Sequence, residues 1–197
     1  MRSTALLAIL ALLATGCAKK PRTGDLTPPP SRDVIRNLPG WYSRPPTDNN
    51  FLYGPATAVS RDLQIAINKA QTEGRNLISQ QLEVKYNGLN KRFAEEVGRS
   101  NDAQLLDQYT QVYKAVVSQV LYGSRSRQQV LRTEGEVYRA FVLMELPLGE
   151  MAKRLLEQIK AQEQLYTRFR ASEAFKELDA EVQRYEAWKR GQVPPPA

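Results

Sequence analysis

One stripe of apolar side chains limits what the first half of this chain can fold into. Leu63, Ala66, Ile67, Ala70, Leu77 and Ile78 recur at helical spacings of three, four and seven, and Gly74 falls on the same line. An α-helix gathers residues so spaced on one face, whereas a strand scatters them over two. The stripe therefore predicts a helix with one buried side. Ser60 stands before it as an N-cap, and Asp62 sits where the helix dipole is positive. Glycine in a helix costs roughly 1 kcal/mol relative to alanine, and a close backbone approach to a sheet would account for Gly74.

Alternating segments supply that sheet. From Val137 to Leu146, the side chains of Tyr138, Ala140, Val142, Met144 and Leu146 share one face, and Phe141 and Leu143 lie on the other. Gly135 marks a hairpin turn before this strand, and Pro147 ends it. Phe51 to Val59 reads as a strand interrupted by Gly54-Pro55; proline has no N–H for the ladder, so an edge or a bulge is expected. Leu82, Val84 and Tyr86 alternate with Glu83, Lys85 and Asn87, which predicts a further strand. Gly88 to Asp107 reads as irregular or helical. Tyr109 to Leu131, rich in valine, reads as a long strand with a bulge or bend at Gly123.

The expected fold class is α+β: an antiparallel sheet of three to four strands packed by one helix, followed by a long C-terminal helical extension over 151–190. In that extension Met151, Leu155 and Ile159 are expected to pack on their own domain, and a break is expected near Ser172. Phe175, Leu178, Val182 and Tyr185 then alternate spacings of three and four like a coiled-coil seam, and are expected to form a helix interface with a partner.

The N-terminus carries a different message. Arg2, the apolar run from Ala5 to Ala14 and the small residues after it form a leader, residues 1–16, shorter than the roughly 20 residues a membrane-crossing helix needs. Ala14-Thr15-Gly16-Cys17 resembles a bacterial lipobox, with alanine at the position where leucine is usual. The resemblance implies lipidation of Cys17 and a mature chain that starts there; ordinary cleavage leaving a free thiol is the alternative. Ala18, where aspartate would signal inner-membrane retention, implies the outer membrane, on its periplasmic or surface face. Residues 17–38 are polar and proline-rich, a tether between lipid and domain, and 191–197 form a tail of similar composition.

Composition narrows the chemistry. The chain has no histidine and one cysteine, which removes Cys/His zinc sites, imidazole-dependent triads and disulfides. No catalytic residue, metal or cofactor is predicted. A formal net charge of +7 permits contact with anionic lipopolysaccharide, lipid headgroups or acidic glycan, whereas an exported lipidated chain is not expected to meet nucleic acid. Arg125 and Arg127, joined across the hairpin by Arg132 and Arg139, are candidate contacts for an anionic partner; edge-strand charges that discourage sheet-to-sheet aggregation explain them as well. Trp41-Tyr42 reads either as a binding platform or as the closure of a core. Glu95, Glu96, Asp102 and Asp107 read as a solvated loop.

Trp41 with Pro45-Pro46, Tyr53-Gly54 with Ala56, Ala58 and Ser60, the helix bearing Ala66 and Ala70, the segment Val117 to Ser124, and Glu136-Val137-Tyr138 leading to Leu146-Pro147 together resemble the LPP-twenty family of bacterial envelope lipoproteins. The resemblance covers 41–150 and implies a small domain, 39–150, with a helix on an antiparallel sheet and no catalytic activity. On these grounds the expected role is that of an outer-membrane-anchored structural or interaction lipoprotein, assembling with itself or with an envelope or flagellar machine. Binding of peptidoglycan or lipopolysaccharide is the alternative.

Overall fold

A computed structural model describes residues 35–97 and 103–191. The leader, Cys17, most of the tether, Asp102 and residues 192–197 lie outside the described residues. In chain order the elements are a helical turn α1 (Gly40–Ser43), β1 (Phe51–Ser60), α2 (Leu63–Val97), α3 (Ala103–Tyr122), β2 (Arg125–Glu134), β3 (Val137–Pro147), α4 (Leu148–Lys160), α5 (Glu163–Phe169) and α6 (Glu173–Lys189). The three strands form one antiparallel sheet in the order β1-β3-β2. The α+β class and the sheet packed by a helix are as expected, and β1, with Pro55, is an edge strand.

β3 is the central strand and is buried on both faces from Ala140 to Leu146. Its Ala140, Val142, Met144 and Leu146 meet α2, as the alternation predicts. The approach is very close at Gly74: a Cβ there would lie 2.5 Å from Met144 Cγ and 2.9 Å from the carbonyl oxygen of Gly54. Gly54 in turn has no room for a side chain against the Gly74 backbone. The cap of α2 differs from expectation. Asp62 Oδ1 accepts from the Ile65 N–H at 2.9 Å, and Ser60 Oγ accepts from Asp62 N–H at 3.2 Å, so Asp62 is the cap and Ser60 supports it.

Two strand assignments are overturned. Residues 82–87 belong to α2, whose buried line runs on through Ile78, Leu82, Tyr86, Leu89 and Phe93. Val84, an inward residue in the strand reading, is 76% exposed because a helix turns it away from that line. The valine-rich stretch is likewise α3 as far as Tyr122, with Leu105, Tyr109, Val116 and Val120 buried at spacings of four and seven. Tertiary burial of one face outweighs the slight β preference of valine. Gly123 is then the corner between helix and strand, its N–H donating to Val120 O at 2.9 Å. The register slip of the sheet falls instead between Ser126 and Gln128. The hairpin turn is where expected, with Gly135 at φ +59°.

The helices after Pro147 share one continuous core with α2 and α3. Met151, Leu155 and Ile159 on α4, Leu165 and Phe169 on α5, and Ala174 and Leu178 on α6 are buried within it. Residues 151–190 thus complete the domain of 39–150 as well as extending it in sequence. Ser172 ends α5 and starts α6: its hydroxyl accepts from the Phe175 N–H at 3.2 Å. The expected partner helix for Phe175, Leu178, Val182 and Tyr185 is replaced by the chain itself. Leu178 and Tyr185 are buried, Tyr185 lies over Gly149 of α4, and Phe175 and Val182 pack on the same core. None of the described helices is long and apolar enough to cross a membrane.

The glycines of α2 give opposite predictions. Gly74→Ala forces backbone or Met144 to move and is expected to lower stability by about 1–3 kcal/mol. Gly88, where a Cβ would make only an ordinary 3.7 Å contact with Arg92 Nη2, gains helix propensity on substitution, so Gly88→Ala is expected to raise stability by about 0.5–1 kcal/mol. Urea unfolding midpoints of the two variants read the difference.

Candidate functional site

The second face of the sheet carries the arginines. Glu145 on β3 is buried, its side chain 5% exposed, and it is held by two guanidiniums from β2. Arg125 Nε donates to Oε1 at 2.7 Å, and Arg127 Nη1 reaches Oε2 at 3.3 Å. The register slip makes this possible, because Arg127 is the extra residue of the bulge and shares a carboxylate with Arg125. Arg127 Nη1 also donates to Tyr53 Oη at 2.8 Å, with its guanidinium 5.5 Å from the centre of that ring. Burial raises the Tyr53 pKa above 10.0; the Arg127 charge opposes that shift, and Asp48 and Glu145 add to it.

Arg139 and Arg132 form no part of this cluster. They face each other near the hairpin turn, and Arg139 grips Glu134 through two bonds of 2.7 and 2.9 Å. Arg132 Nε is cut off from solvent without a hydrogen-bond partner. Of the four candidate arginines, Arg125, Arg127 and Arg139 are therefore matched to carboxylates of the same hairpin. Arg125 alone among those three is largely exposed, at 73% of its side chain.

The chain covers this face itself. Tyr42 meets Phe141 edge-on with ring centres 5.3 Å apart, and Trp41 and Trp188 pack beside Phe51, Tyr53 and Leu143. Trp41-Tyr42 thus closes a second, small core. The acidic residues scatter: Glu95, Glu96 and Asp107 are exposed, and Glu96 accepts from the Glu173 N–H at 3.1 Å, at the start of α6.

A cleft of about 360 Å³ lies between α2 and α3, and sequence reasoning missed it. Tyr86 and Asn90 of α2, and Tyr109 and Tyr113 of α3, line it, each pair one helical turn apart. The Tyr86 and Tyr113 ring centres are 5.3 Å apart, while Tyr109 leans on Phe93 and Phe169. The hydroxyls of Tyr86 and Tyr109 and Oδ1 of Asn90 are cut off from solvent with no hydrogen-bond partner. Behind them Glu181 of α6, also buried, pairs with Lys85 at 3.0 Å through Oε2 and leaves Oε1 unpartnered. Burial holds the tyrosine protons: Tyr86 lies well above its ordinary pKa, helped by the Glu181 charge; Tyr109 is raised mainly by burial, and Tyr113 is pushed up to about 12 by burial and by Glu83. The helical reading of 82–87 is the signal that would have found this group, since Tyr86, Leu89 and Phe93, three and four apart, fall on one face only in a helix.

Comparison of the chain with family models, with curated proteins and with solved structures gives no match.

Removing the carboxylate of Glu145 leaves two guanidiniums facing a buried surface. Allowing for the exposure of Arg125, Glu145→Ala is expected to lower stability by about 2 kcal/mol and Arg125→Ala by less than about 1 kcal/mol, read from urea midpoints. The cleft predicts an alkaline weakness. Folded Tyr86, Tyr109 and Tyr113 keep their protons above the 10.0 of an exposed phenol, whereas the unfolded chain releases them. Stability present below about pH 10 is therefore lost as pH rises past it. Tyr86→Phe is expected to flatten that fall, measured as unfolding midpoint against pH.

Proposed function

We propose that the chain is an outer-membrane-anchored interaction lipoprotein of a bacterial envelope, attached through lipid on Cys17, whose domain binds or scaffolds rather than turns over a substrate. The observation that carries this reading is Ala14-Thr15-Gly16-Cys17 at the end of a positively led apolar run. The fatty chains such a site receives contribute about 0.8 kcal/mol for each methylene buried, so several chains together make attachment effectively permanent. The motifs within 41–150 that resemble the LPP-twenty family, although no family model matches the chain, favour the same compartment and a binding role.

The packing refines the reading. The seam from Phe175 to Tyr185 is used within the chain, so self-assembly through that seam is not part of the proposal. Partner contacts fall to surface features such as Val84 on α2 and Tyr122 at the end of α3, exposed by 76% and 86%. Deletion of 151–197 is a poor test of assembly, because it would remove Met151, Leu155 and Ile159 from the core.

The decisive experiment is metabolic labelling with fatty acid in the native host. Label is expected in the wild-type protein and absent from Cys17→Ser, which is expected to move from the membrane to the soluble fraction. An unmodified Cys17 thiol in the mass spectrum of the native protein would refute the proposal.

A further inference from the structure

Of the three described strands, β2 alone has no buried residue. α2 lies over β1 and β3, and Tyr42 and Trp188 cover those same two strands from the other side. The strand order also leaves one edge of β2 without a partner among the described residues. β1 is the opposite edge, but Pro55 breaks its row of N–H groups, and Phe51, Tyr53 and Ala56 are buried. A bare edge with free N–H and C=O groups is a template for another strand, and charges or bulges usually blunt it. In β2 those devices sit at the start. Arg127 is the extra residue of the bulge, and with Arg125 it is drawn back onto Glu145. From Gln128 to Thr133 the pairing is regular, and Arg132 is the one charged residue.

The two apolar residues of β2 stand in the middle of that regular stretch. Leu131, opposite Ala140 on the α2 side, is 42% exposed, and Val130, opposite Phe141 on the other side, is half-buried. Arginines mark the start of the strand, and Glu134 and Glu136 mark its end. Antiparallel pairing of two copies lays the arginine-bearing start of each against the glutamate-bearing end of the other. A two-fold axis normal to the sheet keeps each face on its own side, so the pairing must centre on a residue. Centred on Gln129 it sets Arg127 against Leu131, and centred on Leu131 it sets Arg132 against Val130. Centred on Val130 it avoids both: Val130 faces itself across the axis, Gln129 faces Leu131, Gln128 brings a neutral amide to Arg132, and Arg127 faces Thr133. A foreign acidic strand would find most of the arginines already met, Arg125 and Arg127 by Glu145 and Arg139 by Glu134.

We propose that β2 pairs with β2 of a second copy of this chain, antiparallel and centred on Val130, so that two three-stranded sheets become one of six strands. Leu131 of each copy then lies diagonally across from the other on the α2 side, within reach of contact. Pairing through β2 gives the scaffolding role a partner and rests on the folded domain alone. An unlipidated Cys17 would leave it standing, and a monomeric domain would leave the lipid anchor standing.

The test uses the full chain in detergent with Cys17→Ser, which leaves an introduced cysteine as the only thiol. Val130→Cys is expected to link to itself under diamide, because residues facing each other across a pair of strands are close enough to bridge. Gln128→Cys and Arg132→Cys are each expected to stay unlinked alone, since each lies four residues out of step with its own copy, roughly 13 Å along the strand. Mixed, those two are expected to link to each other. Without an added cysteine, sedimentation equilibrium is expected to give twice the 22.3 kDa of the chain. Leu131→Lys, at an exposed position, is expected to weaken association by about tenfold with an unchanged circular dichroism spectrum, because the change acts twice across the axis. A monomer at submillimolar concentration overturns the proposal, also where an added acidic peptide then shields the β2 amides, which would assign the edge to a foreign strand. So does linking of Gln128→Cys to itself as readily as Val130→Cys, or a dimer that Leu131→Lys leaves intact.

Discussion

Gly54 on β1 and Gly74 on α2 bring two backbones into contact, and that closeness sets the height at which the long helix lies over the sheet. Small residues surround the contact: Ala56 on the strand, and Ala66 and Ala70 on the helix, are fully or almost fully buried. With the helix so low, Met144 and Leu146 of β3 are buried in the core beneath it. α2 has 35 residues and is about 50 Å long at 1.5 Å per residue, well beyond the reach of a ten-residue strand. Its second half therefore leaves the sheet with its buried stripe still running. α3, α4, α5 and α6 exist, in packing terms, to cover that overhang, and Phe93, Tyr109 and Phe169 are the aromatic knot where they meet.

The same geometry places the cleft. Where α2 lies on the sheet, Ala66, Ala70 and Gly74 let the backbones come close. Along the overhang it meets α3 through Tyr86 and Tyr113, whose ring centres are 5.3 Å apart, and the hydroxyls of Tyr86 and Tyr109 are cut off from solvent there. A seam lined by leucine would close. One lined by tyrosine and asparagine stays partly open at its surface and seals unpaired oxygens beneath. On the opposite face of the sheet, polarity is resolved locally: Glu145 is surrounded by its own arginines, and the tryptophans and Tyr42 exclude solvent beside it.

Much of this was legible. Period 3.6 from Leu63 to Ile78 and period 2 from Val137 to Leu146 are strong because each stripe is long and bounded by turn or capping residues. Gly135 and Pro55 announced the turn and the edge for backbone reasons that need no neighbour. Residues 82–87 failed because a six-residue window satisfies both periods: Leu82 and Tyr86 are four apart as well as alternating. Extending the window to Ile78, Leu89 and Phe93 resolves it. The valines of α3 failed for a related reason, since a β-branched residue buried on a helix face looks locally like a strand residue.

What the sequence determined by itself was periodicity, turns and caps, because these depend on residues within a few positions of one another. It likewise carries the whole case for Cys17, which rests on a linear motif. Which carboxylate would hold Arg125 and Arg127, and whether the seam on α6 would face a partner or its own chain, was decided only in three dimensions. The physical reason is that pairing and burial depend on which surfaces the fold brings together. Residues 53, 127 and 145, or 86, 109 and 181, are far apart along the chain and become neighbours only once α2 has settled onto the sheet.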